Sequence, residues 1–340
     1  MLEPPDLNEG ELLGQLAEEF GLFAAGLVFL PLGADVNTAV YRVELANGRA
    51  CFLKLRKGSF AEVAVSVPHW LGGLGLREII SPLETRRGQL WASLGEYRLI
   101  LYPYVEGVNG YQQALTPAQW RAFGAALRAI HSTAVPAELA RQLPVEDFNP
   151  AWRTAVRAYQ QRARQGGFTE PAAARLVAIL REREAQISRM LARADALGLA
   201  LAERPPAFGL CHSDIHPGNL LLGPAGELYL VDWDNPTLSP KERDLNLVGG
   251  CSTWNSMVQT SLFYVGYGPA DIDPAALAYY RYQRVLEDIA AFSAQLLDTN
   301  EGGRDRERSL KFFNSLFTPG GEVEQAFRAD GQEKQPGHSP

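Results

Sequence analysis

The sequence predicts an α+β fold of two lobes, with a small N-terminal lobe built on antiparallel strands and a larger helical C-terminal lobe. The chain has 340 residues, which is long for one compact hydrophobic core, so two lobes are expected. Strand patterns concentrate before residue 103, and helical patterns dominate beyond it. The predicted parts are residues 1–103, residues 104–318 and a tail over 319–340, whose glycine, proline, glutamine and charged residues predict disorder.

The composition is that of an ordinary soluble globular protein. Hydrophobic residues make up 46% of the chain and charged residues 21%, and no run of apolar residues is long enough to predict a membrane span. The N-terminus lacks the basic and then apolar layout of a signal peptide, so a cytoplasmic protein is expected. The net charge of −7, without a basic tract, argues against nucleic acid binding and fits a cationic small-molecule partner.

The N-terminal lobe is predicted to begin with a helix and to continue with strands. Apolar residues at helical spacing predict a helix over residues 8–20, with Asn8 and Glu11 as a capping box. Strands are predicted over residues 27–30, 39–45, 49–55 and 97–101. An Asn-Gly turn at residues 47–48 joins the second and third of these strands.

A hinge and a run of helices are predicted next. Residues 102–110 switch to proline, glycine and aromatic residues, a composition typical of a hinge, although a surface loop with aromatic packing is an alternative. Helical patterns then cover residues 116–131, 152–165, 172–197 and the segment that starts at residue 273. Thr116 and Gln119 form a predicted capping box for the first of these helices.

The most informative segment spans residues 212–219, with the sequence His-Ser-Asp-Ile-His-Pro-Gly-Asn, and precedes a predicted β-hairpin and Asp232. Asp214 is the candidate base that would take a proton from a hydroxyl group. Asn219 and Asp232, five and eighteen positions later, offer the hard oxygen ligands that Mg²⁺ prefers. Because phosphoryl transfer mainly requires positioning and charge neutralisation, this set predicts a phosphoryl-transfer enzyme.

Other interpretations of this region remain open. The segment could be a loop whose polar residues only cap backbone groups. His212, Asp214 and His216 lie at alternate positions and could bind a metal, although no further ligand follows at a spacing typical of zinc sites. Asp244 is either a structural acid that braces the catalytic segment or a helix N-cap before Leu245.

The N-terminal lobe offers candidates for binding nucleotide phosphates. Gly33 and Asn37 lie in a loop where a phosphate-covering loop would be, although a plain hairpin connection also explains a loop with one glycine. Lys54 interrupts an apolar strand and would hold the α- and β-phosphates, unless it is an edge-strand charge that prevents aggregation. Glu62 would pair with Lys54, unless it is a first-turn acid favoured by the helix dipole.

Together these segments resemble the aminoglycoside phosphotransferase family of the protein kinase-like superfamily, and most of all its spectinomycin phosphotransferase group. The similarity rests on the His-x-Asp-x-x-x-x-Asn form of the catalytic segment and on the segments around Gly33, Lys54 and residues 102–110, and it covers about residues 33–297. It implies a bilobal protein kinase-like fold, ATP as co-substrate and Mg²⁺. Backbone groups near Tyr102 and Tyr104 would then read the adenine edge. Trp233 departs from the Phe-Gly pair that follows the metal aspartate in protein kinases.

The resemblance implies transfer of the γ-phosphoryl group to a hydroxyl of a small cationic molecule, such as an aminocyclitol antibiotic. Such an acceptor needs carboxylates, for which Asp234 and Asp288 are candidates, although Asp288 could instead pair with Arg284 one turn earlier. A metabolite kinase of the choline or homoserine type is the alternative function, and a pseudokinase-like nucleotide-binding regulator is another. No P-loop motif occurs, which excludes that class of phosphotransferase. A monomer or a homodimer is expected.

Overall fold

The computed structural model describes residues 4–32, 37–299 and 303–331. The chain divides into two compact units, which comprise Met1–Pro144 with His212–Thr237, and Val145–Cys211 with Leu238–Pro340. We call them unit 1 and unit 2. The division expected at residue 103 does not separate these units, because the segment that carries Asp214 and Asp232 packs with the N-terminal strands in unit 1.

Unit 1 is built on a five-stranded antiparallel sheet with the strand order β1-β2-β3-β5-β4, which confirms the predicted α+β class. The strands are β1 (Ala24–Leu30), β2 (Thr38–Leu45), β3 (Ala50–Lys57), β4 (Ala92–Leu94) and β5 (Tyr97–Pro103). The chain reverses between β2 and β3 at Gly48, whose φ of 79° lies in the left-handed region that glycine adopts without strain.

The first helix, α1 (Glu9–Phe20), covers one face of this sheet. Asn8 caps it as predicted, because its side chain accepts a hydrogen bond from the backbone N of Gly10 at 2.8 Å. Leu12 and Leu16 of α1 belong to one buried cluster with Leu53 and Leu55 of β3. Since successive side chains of a strand point to opposite faces, Lys54 lies on the other face of the sheet.

The rest of unit 1 brings the predicted hinge next to the catalytic segment. Its remaining elements are α2 (Val63–Gly73), β6 (Val108–Asn109), α3 (Pro117–Ser132), α4 (Ala137–Ala140), β8 (Leu220–Leu222) and β9 (Leu228–Leu230). The predicted hairpin is confirmed as β8 and β9, and β6 pairs with β8. At Gly110 the backbone N donates to the Pro217 carbonyl at 2.8 Å, and a Cβ there would lie 2.8 Å from the same oxygen. Only glycine allows this close approach.

Unit 2 is mainly helical, and a hydrophobic cluster of buried residues lies around α10. Its elements are α5 (Ala151–Gln165), α6 (Pro171–Glu182), α7 (Glu184–Glu203), β7 (Phe208–Cys211), β10 (Thr237–Pro240), α8 (Glu242–Leu245), α9 (Met257–Tyr267), α10 (Pro274–Leu297), α11 (Gly303–Ser315) and α12 (Glu322–Ala329). No helix in the described ranges has both the length and the apolar composition to cross a bilayer.

Two expectations for unit 2 are corrected by the structure. The single helical pattern over residues 172–197 forms two helices, because the backbone leaves helical geometry at Arg183 with φ −94° and ψ 7°. The tail expected to be disordered from residue 319 contains α12, whose Val323 and Phe327 are buried in the cluster around α10. The overall polar composition of the tail predicted disorder, although Val323, Ala326 and Phe327 form a short buried face of this helix. Residues 332–340 of the expected tail lie outside the described residues.

A half-buried ion pair joins the start of α6 to α11. Glu170 caps α6 by accepting from the backbone N of Ala173 at 2.7 Å, and the same oxygen accepts from Arg306 at 2.6 Å. The Arg306 side chain is only 5% exposed. The hydrogen bond from Arg306 is the main cause that lowers the pKa of Glu170 to about 2.

We predict that Glu170→Gln lowers the free energy of unfolding at pH 7 by about 1 kcal/mol. The amide keeps an oxygen that can cap the helix, but it lacks the negative charge that pairs with Arg306. A carboxyl whose folded-state pKa is lowered stabilises the fold above its unfolded pKa, so the wild-type advantage should shrink as pH falls from about 4.5 towards about 2. Urea unfolding of the wild type and the variant, at pH 7 and between about pH 4.5 and about pH 2, measures the difference in their free energies of unfolding. Equal stabilities at pH 7 would contradict the prediction.

Candidate active site

Asp214 is held in place by side chains of its own segment. The Asn219 side-chain Nδ2 donates to the backbone oxygen of Asp214 at 2.9 Å and to its Oδ2 at 3.2 Å. His216 Nε2 lies 3.7 Å from the same carboxylate oxygen. Asn219 is buried, whereas Asp214 is partly exposed. A buried amide therefore orients a carboxylate that remains accessible to a substrate.

His212 connects the catalytic segment to Val231, which lies between β9 and Asp232. Its side chain is fully buried, with Nε2 2.9 Å from the Val231 carbonyl and Nδ1 3.3 Å from the backbone N of Asp214. A carbonyl only accepts and a backbone N–H only donates, so Nε2 carries the proton and Nδ1 is an acceptor. Both ring nitrogens are thus used, which argues against the metal site of His212, Asp214 and His216 that the sequence left open.

The segment after β9 is anchored by Trp233. Its indole is buried, its Nε1 donates to the Leu230 carbonyl at 3.1 Å, and its ring centroid lies 4.5 Å from that of His212. Asp232 adopts a φ of 67°, which aspartate tolerates better than most residues. The buried tryptophan between them fixes the backbone from which Asp232 and Asp234 extend.

Lys54 meets these two aspartates. Its Nζ lies 2.7 Å from Asp232 Oδ1 and 2.6 Å from Asp234 Oδ1. Arg56, two residues further along β3, forms an ion pair with Asp234 Oδ2. Burial alone would lower the pKa of Lys54, but the two carboxylates raise it above its ordinary value. Burial likewise opposes ionisation of Asp232, yet Lys54 holds the pKa of Asp232 below its ordinary value. Lys54 and Asp232 are therefore both charged at neutral pH.

The central position of Lys54 excludes its interpretation as an edge-strand charge. Strand β3 lies between β2 and β5, so Lys54 is not an edge-strand charge. Glu62 is exposed and directly precedes α2 without capping it through its side chain. Among the described residues, the ion-pair partners of Lys54 are Asp232 and Asp234 rather than the expected Glu62. The alternative of a first-turn acid fits the position of Glu62.

The other nucleotide-binding candidates lie around the same sheet. Gly33 falls outside the described residues. Asn37 is exposed at the start of β2, and its carbonyl accepts from the backbone N of Lys57 at 2.9 Å. Tyr102 lies in β5, and burial raises its pKa above the ordinary value. The Tyr104 ring lies beneath the guanidinium of Arg42, 4.6 Å from its centroid.

The acceptor candidates lie in different units. Asp234 belongs to the cluster of Lys54 in unit 1, whereas Asp288 lies on α10 of unit 2 and forms an i,i+4 ion pair with Arg284 at 3.3 Å. That pair is the alternative that the sequence left open for Asp288. Asp244 lies inside the short helix α8 and is fully buried, so its interpretation as an N-cap before Leu245 is wrong.

The donor set suits Mg²⁺. Asn219 directs its amide nitrogen to Asp214, which turns the amide oxygen away from that carboxylate, and Asp232 supplies ionised carboxylate oxygens. Both are hard oxygen donors of the kind that Mg²⁺ prefers. The backbone bond from Val231 N to the Asn219 carbonyl, at 3.0 Å, holds their two segments together. The arrangement combines a positioned carboxylate, oxygen ligands and a buried lysine.

Sequence reasoning missed Arg56. It follows Lys54 by two residues in a strand, so both cations lie on the same face of β3. The signal was present in the sequence, but Arg56 lies near the end of the strand, where a solvated charge is the ordinary explanation.

Comparisons with known proteins agree with this geometry. The model of the phosphotransferase enzyme family, APH, matches residues 28–308. The crystal structure of spectinomycin phosphotransferase, APH(9)-Ia, in complex with ADP and spectinomycin is 34% identical, with a TM-score of 0.89 over 96% of this chain and 99% of that chain. The AMP-bound complex of that enzyme gives 33% identity and a TM-score of 0.84, over 94% of this chain and 98% of that chain. An uncharacterized protein of Deinococcus radiodurans is 28% identical over 290 residues, which cover 82% of this chain and 75% of that protein. The chain therefore belongs to the APH family of phosphotransferase enzymes.

Proposed function

We propose that this protein transfers the γ-phosphoryl group of ATP, with Mg²⁺, to a hydroxyl of an aminocyclitol antibiotic of the spectinomycin type. The observation that carries the proposal is the joining of Asp214, Asn219, Asp232 and Lys54 within one compact unit. The choice of acceptor is supported by the 34% identity, over 96% of this chain, to an enzyme whose structure holds ADP and spectinomycin.

Each residue has one task in this mechanism. Asp214, oriented by Asn219, accepts a hydrogen bond from the acceptor hydroxyl and aims its oxygen at the γ-phosphorus. Lys54 holds phosphate oxygens of the nucleotide with its ammonium group. Asn219 and Asp232 would hold Mg²⁺, which neutralises phosphate charge when bound. His212 keeps the two segments of the site in register through the contacts of its two ring nitrogens.

The acceptor is best found by a screen of ATP consumption over aminocyclitols, aminoglycosides, macrolides and amino alcohols. We expect turnover with spectinomycin or a close aminocyclitol. Mass spectrometry of the product should show the added phosphoryl group. Turnover confined to amino alcohols would favour a metabolite kinase instead, and no turnover with any hydroxyl compound would contradict the proposal.

Asp214→Asn should lower kcat by about 10²–10⁴-fold and leave ATP affinity nearly unchanged, because the amide cannot accept the hydroxyl proton. Calorimetry of ATP binding, compared with steady-state turnover, separates the two effects. Wild-type turnover by this variant would remove Asp214 from the catalytic role.

Asp232→Ala should abolish Mg²⁺-dependent ATP binding together with turnover, because the site would lose a carboxylate that would hold Mg²⁺, and with it the charge neutralisation that the metal would supply. The measurement is ATP affinity with Mg²⁺ and with excess EDTA. In wild type the two affinities should differ strongly, whereas in the variant they should be alike. A variant that binds ATP with wild-type affinity and the same Mg²⁺ dependence would exclude Asp232 as a ligand.

Asp288→Asn should raise the acceptor KM about tenfold, a loss of about 1.4 kcal/mol, with the ATP KM unchanged, if its carboxylate meets a substrate ammonium. Arg284→Gln is the matched control, since it breaks the same ion pair but keeps the carboxylate. Similar small effects of both variants would reduce Asp288 to a partner of Arg284.

A further inference from the structure

We propose that Asp234, supported by Arg56, is the positioning residue that holds Lys54 towards the nucleotide phosphates, in place of an acid from helix α2. The inference rests on the proposed function only in taking Lys54 as the phosphate-binding lysine. Asp234 is thereby assigned to the nucleotide side of the reaction rather than to the acceptor, where the sequence had placed it.

Asp234 uses its two carboxylate oxygens on two different cations. Oδ1 lies 2.6 Å from Lys54 Nζ, and Oδ2 pairs with the Arg56 guanidinium. Arg56 is also tied to the loop after β3, because its Nε donates to the Ser59 carbonyl at 3.4 Å. A lysine has a flexible stem and a compact charge, so a fixed carboxylate restricts where its ammonium can lie. Arg56 fixes that carboxylate.

Helix α2 cannot supply this carboxylate from its own residues. Its sequence, Val63–Gly73, contains no acid, and the nearest one, Glu62, is exposed. Next to Arg56 and Asp234 is a cavity of about 220 Å³, whose remaining walls are made by Ser59, Phe60, Ala61, Ala64 and Asn235. Ala61, just before α2, and Ala64, in its first turn, therefore face this cavity. Glu62 does not line it.

The backbone of Asp234 is held by a separate anchor. Trp233 is 5% exposed and is fixed by its hydrogen bond to the Leu230 carbonyl and by its contact with His212. A carboxylate extended from an anchored backbone needs little additional ordering to meet Lys54 and Arg56. The Asp-Trp-Asp sequence therefore brings two carboxylates to one lysine.

The test compares the single variants of Asp234, Arg56, Glu62 and Glu96, and the double variant of Asp234 and Arg56, by ATP calorimetry and by steady-state kinetics. Asp234→Asn should raise the ATP Kd and KM about tenfold, and Arg56→Gln about threefold, with a smaller change in kcat at saturating ATP. The double variant should be no worse than Asp234→Asn, because both changes act through the same lysine. Glu96→Gln is the matched control: it removes the carboxylate that lies 2.7 Å from Lys57, the next cation of β3, and should leave ATP affinity unchanged.

Three results would overturn the inference. Asp234→Asn could keep wild-type ATP affinity while its thermal unfolding shows a folded protein. Asp234→Asn could raise the Mg²⁺ concentration needed for half-maximal activity while Arg56→Gln has no effect, which would make Asp234 a metal ligand. Glu62→Gln could weaken ATP binding while Asp234→Asn does not, which would return the role to Glu62. Failure of the wild type to bind ATP at all would overturn the proposed function itself.

Discussion

Lys54 places a charge between fully buried Leu53 and Leu55 in a central strand, and this constraint shapes the site around it. A buried ammonium is tolerated only when carboxylates compensate for lost hydration. The compensating groups are Asp232 and Asp234, which come from a segment about 180 residues further along the chain. The ion pairs thus join the sheet to the catalytic segment. Removing Asp232 or Asp234 would leave the buried ammonium of Lys54 partly unpaired. The ion pairs therefore stabilise the packing of the catalytic segment against the sheet.

Hydrogen bonds of His212 and Asn219 connect the segment of Asp232 to Asp214. One ring nitrogen of His212 is hydrogen-bonded to the Val231 carbonyl, and the other is hydrogen-bonded to the backbone N of Asp214. Asn219 then fixes the Asp214 carboxylate, and its carbonyl accepts from the backbone N of Val231. The ion pairs around Lys54 and the Asp214 carboxylate are consequently parts of one bonded network within unit 1.

Local signals predicted the elements of unit 1 well. The hairpin at β8 and β9, the Asn8 cap and the capping box of Thr116 and Gln119 are each set by residues close in sequence. Predictions failed where packing overrides local pattern. The break at Arg183 follows no proline or glycine, and α12 is stabilised by the cluster around α10 despite its polar surroundings. Such features depend on contacts between distant segments, which composition does not report.

The sequence by itself determined which residues can do the chemistry, because Asp214, Asn219, Asp232 and Lys54 carry the functional groups that phosphoryl transfer needs, at spacings that follow from a loop and a hairpin. Only the tertiary structure decided how the charges pair. Glu62 and Asp234 were equally available acids in the sequence. Glu62 is exposed just before α2, whereas the anchored backbone after Trp233 brings Asp234 to Lys54 and Arg56. The physical reason is that an ion pair between segments depends on side-chain direction and distance. Both are fixed only when the strands and the helix pack.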